Sequence, residues 1–153
     1  MTNNDILRRI RYVFDFDDAN MINLFGLGNC NTERIQINNW LRKDEDPEME
    51  ILSDHQLISF LNGLIIAKRG PKDDGKPIET EVLTNNIIFR KLKIALNLRD
   101  DEILAIMEKA SFPISKHELS AFFRHPSQNQ YRTCNHQILR NFIYGLQLSY
   151  RQE

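Results

Sequence analysis

Apolar residues recur at intervals of three and four along most of this chain, the spacing that places them on one face of a helix. Ile6, Leu7, Ile10, Val13 and Phe14 follow it near the start, and Ile88, Phe89, Leu92, Ala95 and Leu96 repeat it further on. Met21, Ile22, Leu24 and Phe25 predict a second helix, matched by Ile103, Leu104, Ile106 and Met107. Ile37, Trp40 and Leu41 predict a third, matched by Leu119, Phe122 and Phe123. Leu57, Phe60, Leu61 and Leu64 predict a fourth, matched by Leu139, Phe142, Ile143 and Leu146. No segment alternates strictly over a strand's length, so the fold class is all-α. Polar residues mark the starts. Thr2 and Thr84 suit N-caps, Asp18 and Asp100 are placed to cap the second helices, and Ser53 with Gln56 and Ser115 with Glu118 form capping boxes.

These paired helices are one unit written twice. A shift of 82 residues, without a gap, lays TNNDILRRIRYVFDF over TNNIIFRKLKIALNL, NNWLR over SAFFR, and LISFLNGL over LRNFIYGL. Identities include Asn3/Asn85, Asn4/Asn86, Arg8/Arg90, Asp18/Asp100, Arg42/Arg124, Phe60/Phe142 and Gly63/Gly145. The organisation that follows is a first helical repeat at 1–69, a linker at 70–83 rich in Gly, Pro and charge, and a second repeat at 84–153. The expected architecture is two tandem four-helix repeats about a pseudo-twofold axis. Gly63 and Gly145 sit inside the fourth helices, where glycine costs about 1 kcal/mol relative to alanine. Their repetition points to a close helix crossing.

Composition adds bounds. The 153 residues are 41% hydrophobic and 27% charged, with net charge −1, as in an ordinary globular protein without a general attraction to nucleic acid or membrane. No stretch approaches membrane-spanning length, and MTNNDILRRIRYVF lacks a signal-peptide apolar run, so a cytoplasmic location is the default expectation. Cys30 and Cys134 occupy non-equivalent positions and form no metal or redox spacing. Charge is divided unevenly: −3 over residues 1–70 (8 basic, 11 acidic) and +4 over 84–153 (10 basic, 6 acidic).

The stretches NNIIFRKLKIALNL (85–98) and YRTCNHQILRNFIYGL (131–146), with NNDILRRIRY (3–12) and the LISFLNGL ending, resemble the YehS-like family of bacterial proteins of unknown function. The resemblance covers nearly the whole chain except the linker. It implies a small, tandemly duplicated, helical bacterial protein, and supplies no catalytic residue, cofactor or substrate. The first copy departs from it: DEDPEMEILSD stands where the second copy has its YRTCN run.

Candidate chemistry is sparse. Asn4, Arg8 and Arg11 fall on one side of the first helix, and Asn86, Arg90 and Lys93 repeat the arrangement. Arg8, Arg11, Arg90 and Lys93 are candidate contacts for an anion or nucleic-acid phosphates; the competing reading is a solvated face paired with nearby carboxylates. Tyr131, Arg132 and Arg140 form a candidate polar site private to the second repeat, or else cap the preceding loop. The second and third helices resemble a helix-turn-helix, in which Lys116 and His117, or Arg34, Gln36, Asn38 and Asn39, would face a groove. Cys134, His136 and His125 lack zinc-site spacing. No phosphate-binding glycine loop, GxSxG or HExxH is present. The expectation is a non-enzymatic binding or scaffold module with a protein partner and no cofactor or metal; the alternative is a nucleic-acid-binding protein using its basic first-helix faces.

Overall fold

The computed structural model describes residues 1–71 and 82–151. Among them are eight α-helices and no strand: α1 (Asn3–Phe14), α2 (Asp18–Leu27), α3 (Arg34–Leu41), α4 (Asp54–Arg69), α5 (Asn85–Ala95), α6 (Asp100–Lys109), α7 (Lys116–Phe122) and α8 (His136–Tyr150). The chain divides into two compact units, Met1–Leu83 and Thr84–Glu153. Adding 82 to the bounds of α1–α4 gives those of α5–α8 to within one residue. Most of the linker expected at 70–83 falls at 72–81, outside the described residues.

Side-chain caps set most helix starts. Thr2 Oγ1 accepts the Asp5 N–H at 3.1 Å, and the Asp5 carboxylate accepts the Thr2 N–H at 3.0 Å. Thr84 makes the equivalent bond to Ile87 N–H at 3.2 Å, but Ile87 has no group to return it. The expected capping boxes at Ser53/Gln56 and Ser115/Glu118 are both present. The second helices differ from expectation by one residue. Asp17, not Asp18, caps α2, accepting Asn20 N–H at 2.7 Å. Arg99, not Asp100, holds the cap position of α6, where Glu102 reaches back to its N–H at 2.9 Å. Asp18 and Asp100 are instead the first helical residues. There they cannot reach the open amides but still face the positive end of the helix dipole, and they remain available to cations of the preceding helix.

Helix ends repeat more faithfully than starts. Asp15 and Asn97 close the first helices at φ 53° each, and Asn29 and Ser111 follow the second helices at φ 67° and 58°. Each left-handed residue lets the next N–H return to a carbonyl five residues back: Phe16 to Arg11 O and Leu98 to Lys93 O, Cys30 to Phe25 O and Phe112 to Met107 O.

Each unit buries its own core. In the first, α2 packs chiefly on α4, and Phe25 lies 5.0 Å from the Trp40 ring and 5.1 Å from Phe60. In the second, the ring that meets the third- and fourth-helix aromatics comes from the first helix instead: Phe89 stacks on Phe142 at 4.3 Å and lies 6.2 Å from Phe122. Leu7 occupies the place of Phe89, and Met107 that of Phe25. The aromatic has moved between helices with little net change in side-chain volume, a substitution pattern that close-packed cores accept. All four of these residues are fully buried.

Gly63 explains its place in α4. A Cβ there would stand 1.7 Å from the Leu24 carbonyl oxygen, so the backbones of α2 and α4 are in direct contact. Gly28, on the other side of the crossing, would meet Ser59 O at 1.8 Å. At Gly145 the nearest atom is Ile106 O, at 2.4 Å, and Ala110 replaces the second glycine, so α6 and α8 lie slightly further apart.

A buried asparagine ties each unit together. Asn4 Nδ2 donates to Trp40 O at 2.9 Å and Glu50 O at 2.7 Å, while its Oδ1 accepts Leu52 N–H at 3.0 Å. Asn86 makes the same three bonds, to Phe122 O at 3.0 Å, Arg132 O at 2.8 Å and Cys134 N–H at 2.9 Å. Both amide hydrogens are used, and three backbone groups are satisfied, two of them in buried and one in partly buried bonds. The neighbouring Asn3 and Asn85 fasten the same strap from outside, bonding Leu52 O and Cys134 O at 3.2 and 3.1 Å. One polar pair per unit thereby locks the α3–α4 or α7–α8 connection onto the first helix.

Candidate functional site

The first-helix stripes do not form the continuous basic face that their spacing suggests. Asn4 and Asn86 are buried, 3% and 6% exposed, and turned inward to the bonds above. Arg8 is held between two carboxylates, with Asp5 and Asp44 each at 2.7 Å. Arg11 faces Asp18 at 3.6 Å, and its counterpart Lys93 faces Asp100 at 3.2 Å while lying 4.5 Å over the Phe123 ring. Arg90 is exposed. Thus the acids displaced from the cap positions of α2 and α6 meet the cations one turn before the end of α1 and α5.

The connection between the third and fourth helices separates the units. In the first unit, residues 42–50 carry two basic and five acidic side chains. Asp44 reaches across to Arg8, and Arg42 collects Asp46 at 3.2 Å and Glu48 at 3.4 Å. Gln36 holds Glu50. The segment is a strap of carboxylates lying on the unit's own arginines. In the second unit, residues 124–132 carry Arg124 and Arg132 and no acid. Pro126, Gln128 and Gln130 stand where Asp44, Asp46 and Glu48 stand in the first. Arg124, equivalent to Arg42, hydrogen-bonds the neutral Gln130 side chain. Arg132, equivalent to Glu50, is exposed, its backbone pinned by Ala121 O at 3.2 Å and by Asn86. On one backbone plan, a surface of charge −3 has become one of +2.

Of the second-repeat candidates, Tyr131 and Arg132 end this connection, Tyr131 through its N–H to Gln128 O at 3.0 Å. Arg140 projects from α8 into solvent, and among the described residues no hydrogen bond or ion pair joins it to the other two. The first turn of α8 is capped by Asn135, which accepts Ile138 N–H at 2.9 Å. The cysteine and histidines do not converge either. Cys134 is buried, and burial pushes its thiol up to about 12 against a smaller opposing pull from the Leu139 amide. His125 bonds Ser127 at 2.6 Å, His136 lies 3.3 Å from Asn85, and both are exposed. Among the described residues no group of three His, Cys, Asp or Glu is arranged to hold a metal. A recess of about 200 Å³ in the first unit, lined by Phe16, Asn20, Leu64 and Lys68 among others, gathers no set of reacting groups. Among the described residues no helix is long and apolar enough to cross a membrane.

The inward role of the asparagines and the arginine–carboxylate strap both escape a reading of spacing alone. The available signals were Asn4/Asn86 beside the apolar stripe in both copies, and Arg42/Arg124 repeated while the acids around it are not.

Comparison with known proteins places the chain. A family described as "Protein of unknown function (DUF1456)" matches it twice, over residues 3–70 and 85–152. The chain is 40% identical over 147 residues to the "Uncharacterized protein YehS" of Escherichia coli (strain K12), a match that spans 95% of this chain and 94% of that one. No solved structure matches it significantly. The two repeats seen in the sequence and in the helices are the two family copies, and the chain belongs to the DUF1456 family of proteins of unknown function.

Proposed function

We propose that this chain is a non-enzymatic binding protein of the cytoplasm, and that its recognition surface lies on the second unit at residues 124–132. The carrying observation is the charge inversion at that connection on an otherwise repeated scaffold. Helix bounds, left-handed closures and asparagine ties recur in both units, which is what a shared fold requires. The surface around the connection is where the units part. In the first unit its arginines are neutralised from within; in the second they stand beside neutral side chains. Connections that differ while their scaffold stays fixed are where binding specificity usually resides. The alternative, nucleic-acid binding through the first-helix faces, draws less support, because Arg8, Arg11 and Lys93 all have carboxylate partners.

Site-specific photocrosslinking tests this reading. A photoreactive residue at position 128 of the full chain, expressed in a bacterial host, is expected to trap a reproducible protein partner. The same residue at the equivalent position 46 is expected not to trap it. Identical patterns at both positions, or none at either, would refute the assignment.

A further inference from the structure

Resting on that reading of the second unit, we infer that its ligand is an acidic peptide segment of a partner protein, bound through Arg124, as Arg42 binds the first unit's own strap, and through Arg132, which stands where the first unit has an acid. The first unit supplies the precedent within the same molecule. There, three carboxylates spaced two residues apart, on Asp44, Asp46 and Glu48, lie on the arginines at positions 8 and 42 at 2.7 to 3.4 Å. The scaffold that presents Arg42 is repeated, tie for tie, under Arg124: the same asparagine bonds hold the connection to the first helix in both units. What the second unit lacks is the carboxylates. Its connection offers Pro126, Gln128 and Gln130 at those places and adds a third-party cation, Arg132, where the first has Glu50.

The chemistry of arginine selects the ligand class. A guanidinium has five N–H donors in a planar fork that matches a carboxylate in a two-point contact. Among the described residues the half-buried Arg124 side chain hydrogen-bonds the neutral Gln130 amide oxygen and has no carboxylate partner, and Arg132 is exposed with its backbone fixed. Fixed backbone anchors lower the ordering cost of binding. Carboxylates are the anions that the first unit shows Arg42 accepting.

The first unit's own strap is the natural probe. Fluorescein-labelled DEDPEME peptide, titrated with the full chain at about 50 mM salt and followed by anisotropy, is expected to bind saturably. Arg124→Ala with Arg132→Ala is expected to weaken binding by about tenfold or more. Lys109→Ala with Lys116→Ala, which removes the same charge elsewhere on the unit, is expected to leave it within about twofold. Arg124→Lys with Arg132→Lys keeps the charge but loses the fork, and is expected to fall between. Rebuilding the strap in place, with Pro126→Asp, Gln128→Asp and Gln130→Glu, is expected to abolish binding by occupying the arginines from within. Equal weakening by both alanine pairs, binding indifferent to the rebuilt strap, or tighter binding of an oligothymidylate of equal charge through the same arginines would each overturn the inference. If position 128 still crosslinks a partner while the peptide fails to bind, the acidic-ligand inference is lost and the binding surface stands. If both fail, the underlying reading falls with it. Unchanged circular-dichroism melting of the alanine pair, expected for these surface side chains, excludes unfolding as the cause.

Discussion

Replacing Asn4 or Asn86 by alanine probes the tie that holds each unit closed. Each asparagine makes three hydrogen bonds of 2.7 to 3.0 Å, one to a carbonyl of the third helix and two to backbone groups of the connection. A hydrogen bond of this kind contributes about 0.5–1.5 kcal/mol net, and a buried partner left unsatisfied costs about 1–3 kcal/mol. Two carbonyls and one amide are orphaned in each case, and local relaxation with water entry recovers part of the loss. The expected destabilisation is therefore about 3 kcal/mol per site. Aspartate should be worse than alanine at neutral pH, since a carboxylate would face the two carbonyl oxygens that the Nδ2 hydrogens now bind. Asn3→Ala, whose side chain is only partly buried, should cost less than about 1 kcal/mol. Urea denaturation of the full chain, followed by far-UV circular dichroism, measures the differences. A cost below about 1 kcal/mol for both Asn4→Ala and Asn86→Ala would show that water replaces the bonds freely and that the tie is incidental.

Three further outcomes follow from the geometry. Gly63→Ala, whose added methyl would fall 1.7 Å from a backbone oxygen, is expected to destabilise by more than Gly145→Ala, where the closest approach is 2.4 Å; thermal melts of the two variants give the order, and the reverse order would contradict the packing described. Ser111→Gly relieves an exposed left-handed residue at φ 58° and is expected to raise stability by about 0.5–1 kcal/mol, the left-handed penalty less the added chain entropy, as read from the denaturation midpoint. Cys134, with its thiol near 12 rather than the ordinary 9.0, should react with iodoacetamide about a thousandfold more slowly than an exposed thiol at pH 8, and at a normal rate only in denaturant; mass spectrometry of the modified peptides would expose any fast native labelling.

Much of the architecture was legible in the residues because helical spacing and duplication reinforce each other. A pattern seen once is ambiguous, but Ile6–Leu7–Ile10 and Ile88–Phe89–Leu92 say the same thing 82 residues apart. Gly63 and Gly145 were readable for the same reason. The caps of α2 and α6 fall one position before the residues that the sequence favours, because adjacent acids, or an acid beside Arg99, leave the choice to backbone geometry. Spacing puts Asn4 on the side of Arg8 but does not report that it is buried, because it fixes direction around a helix and not depth. Whether an edge residue is buried depends on what folds over it, here the connection before α4. The same long-range fact decides that Asp44 neutralises Arg8, and nothing in the local sequence reports it. The swap of Phe25 for Phe89 is equally hidden, since it appears only when the rings are seen to meet the same aromatic neighbours.

The asparagine ties also give the molecule a pair of built-in clocks. The Leu52 and Cys134 amides are each protected by a bond to a single side chain lying 48 residues earlier in sequence. The asparagine that makes it joins the first helix, the third helix and the connection, and both amides belong to buried residues. Their hydrogen exchange therefore times the opening of a whole unit rather than the fraying of a helix end. One clock sits in each copy, at equivalent positions and with equivalent partners. Reading the two side by side compares how long one plan, written with two sequences, keeps itself shut.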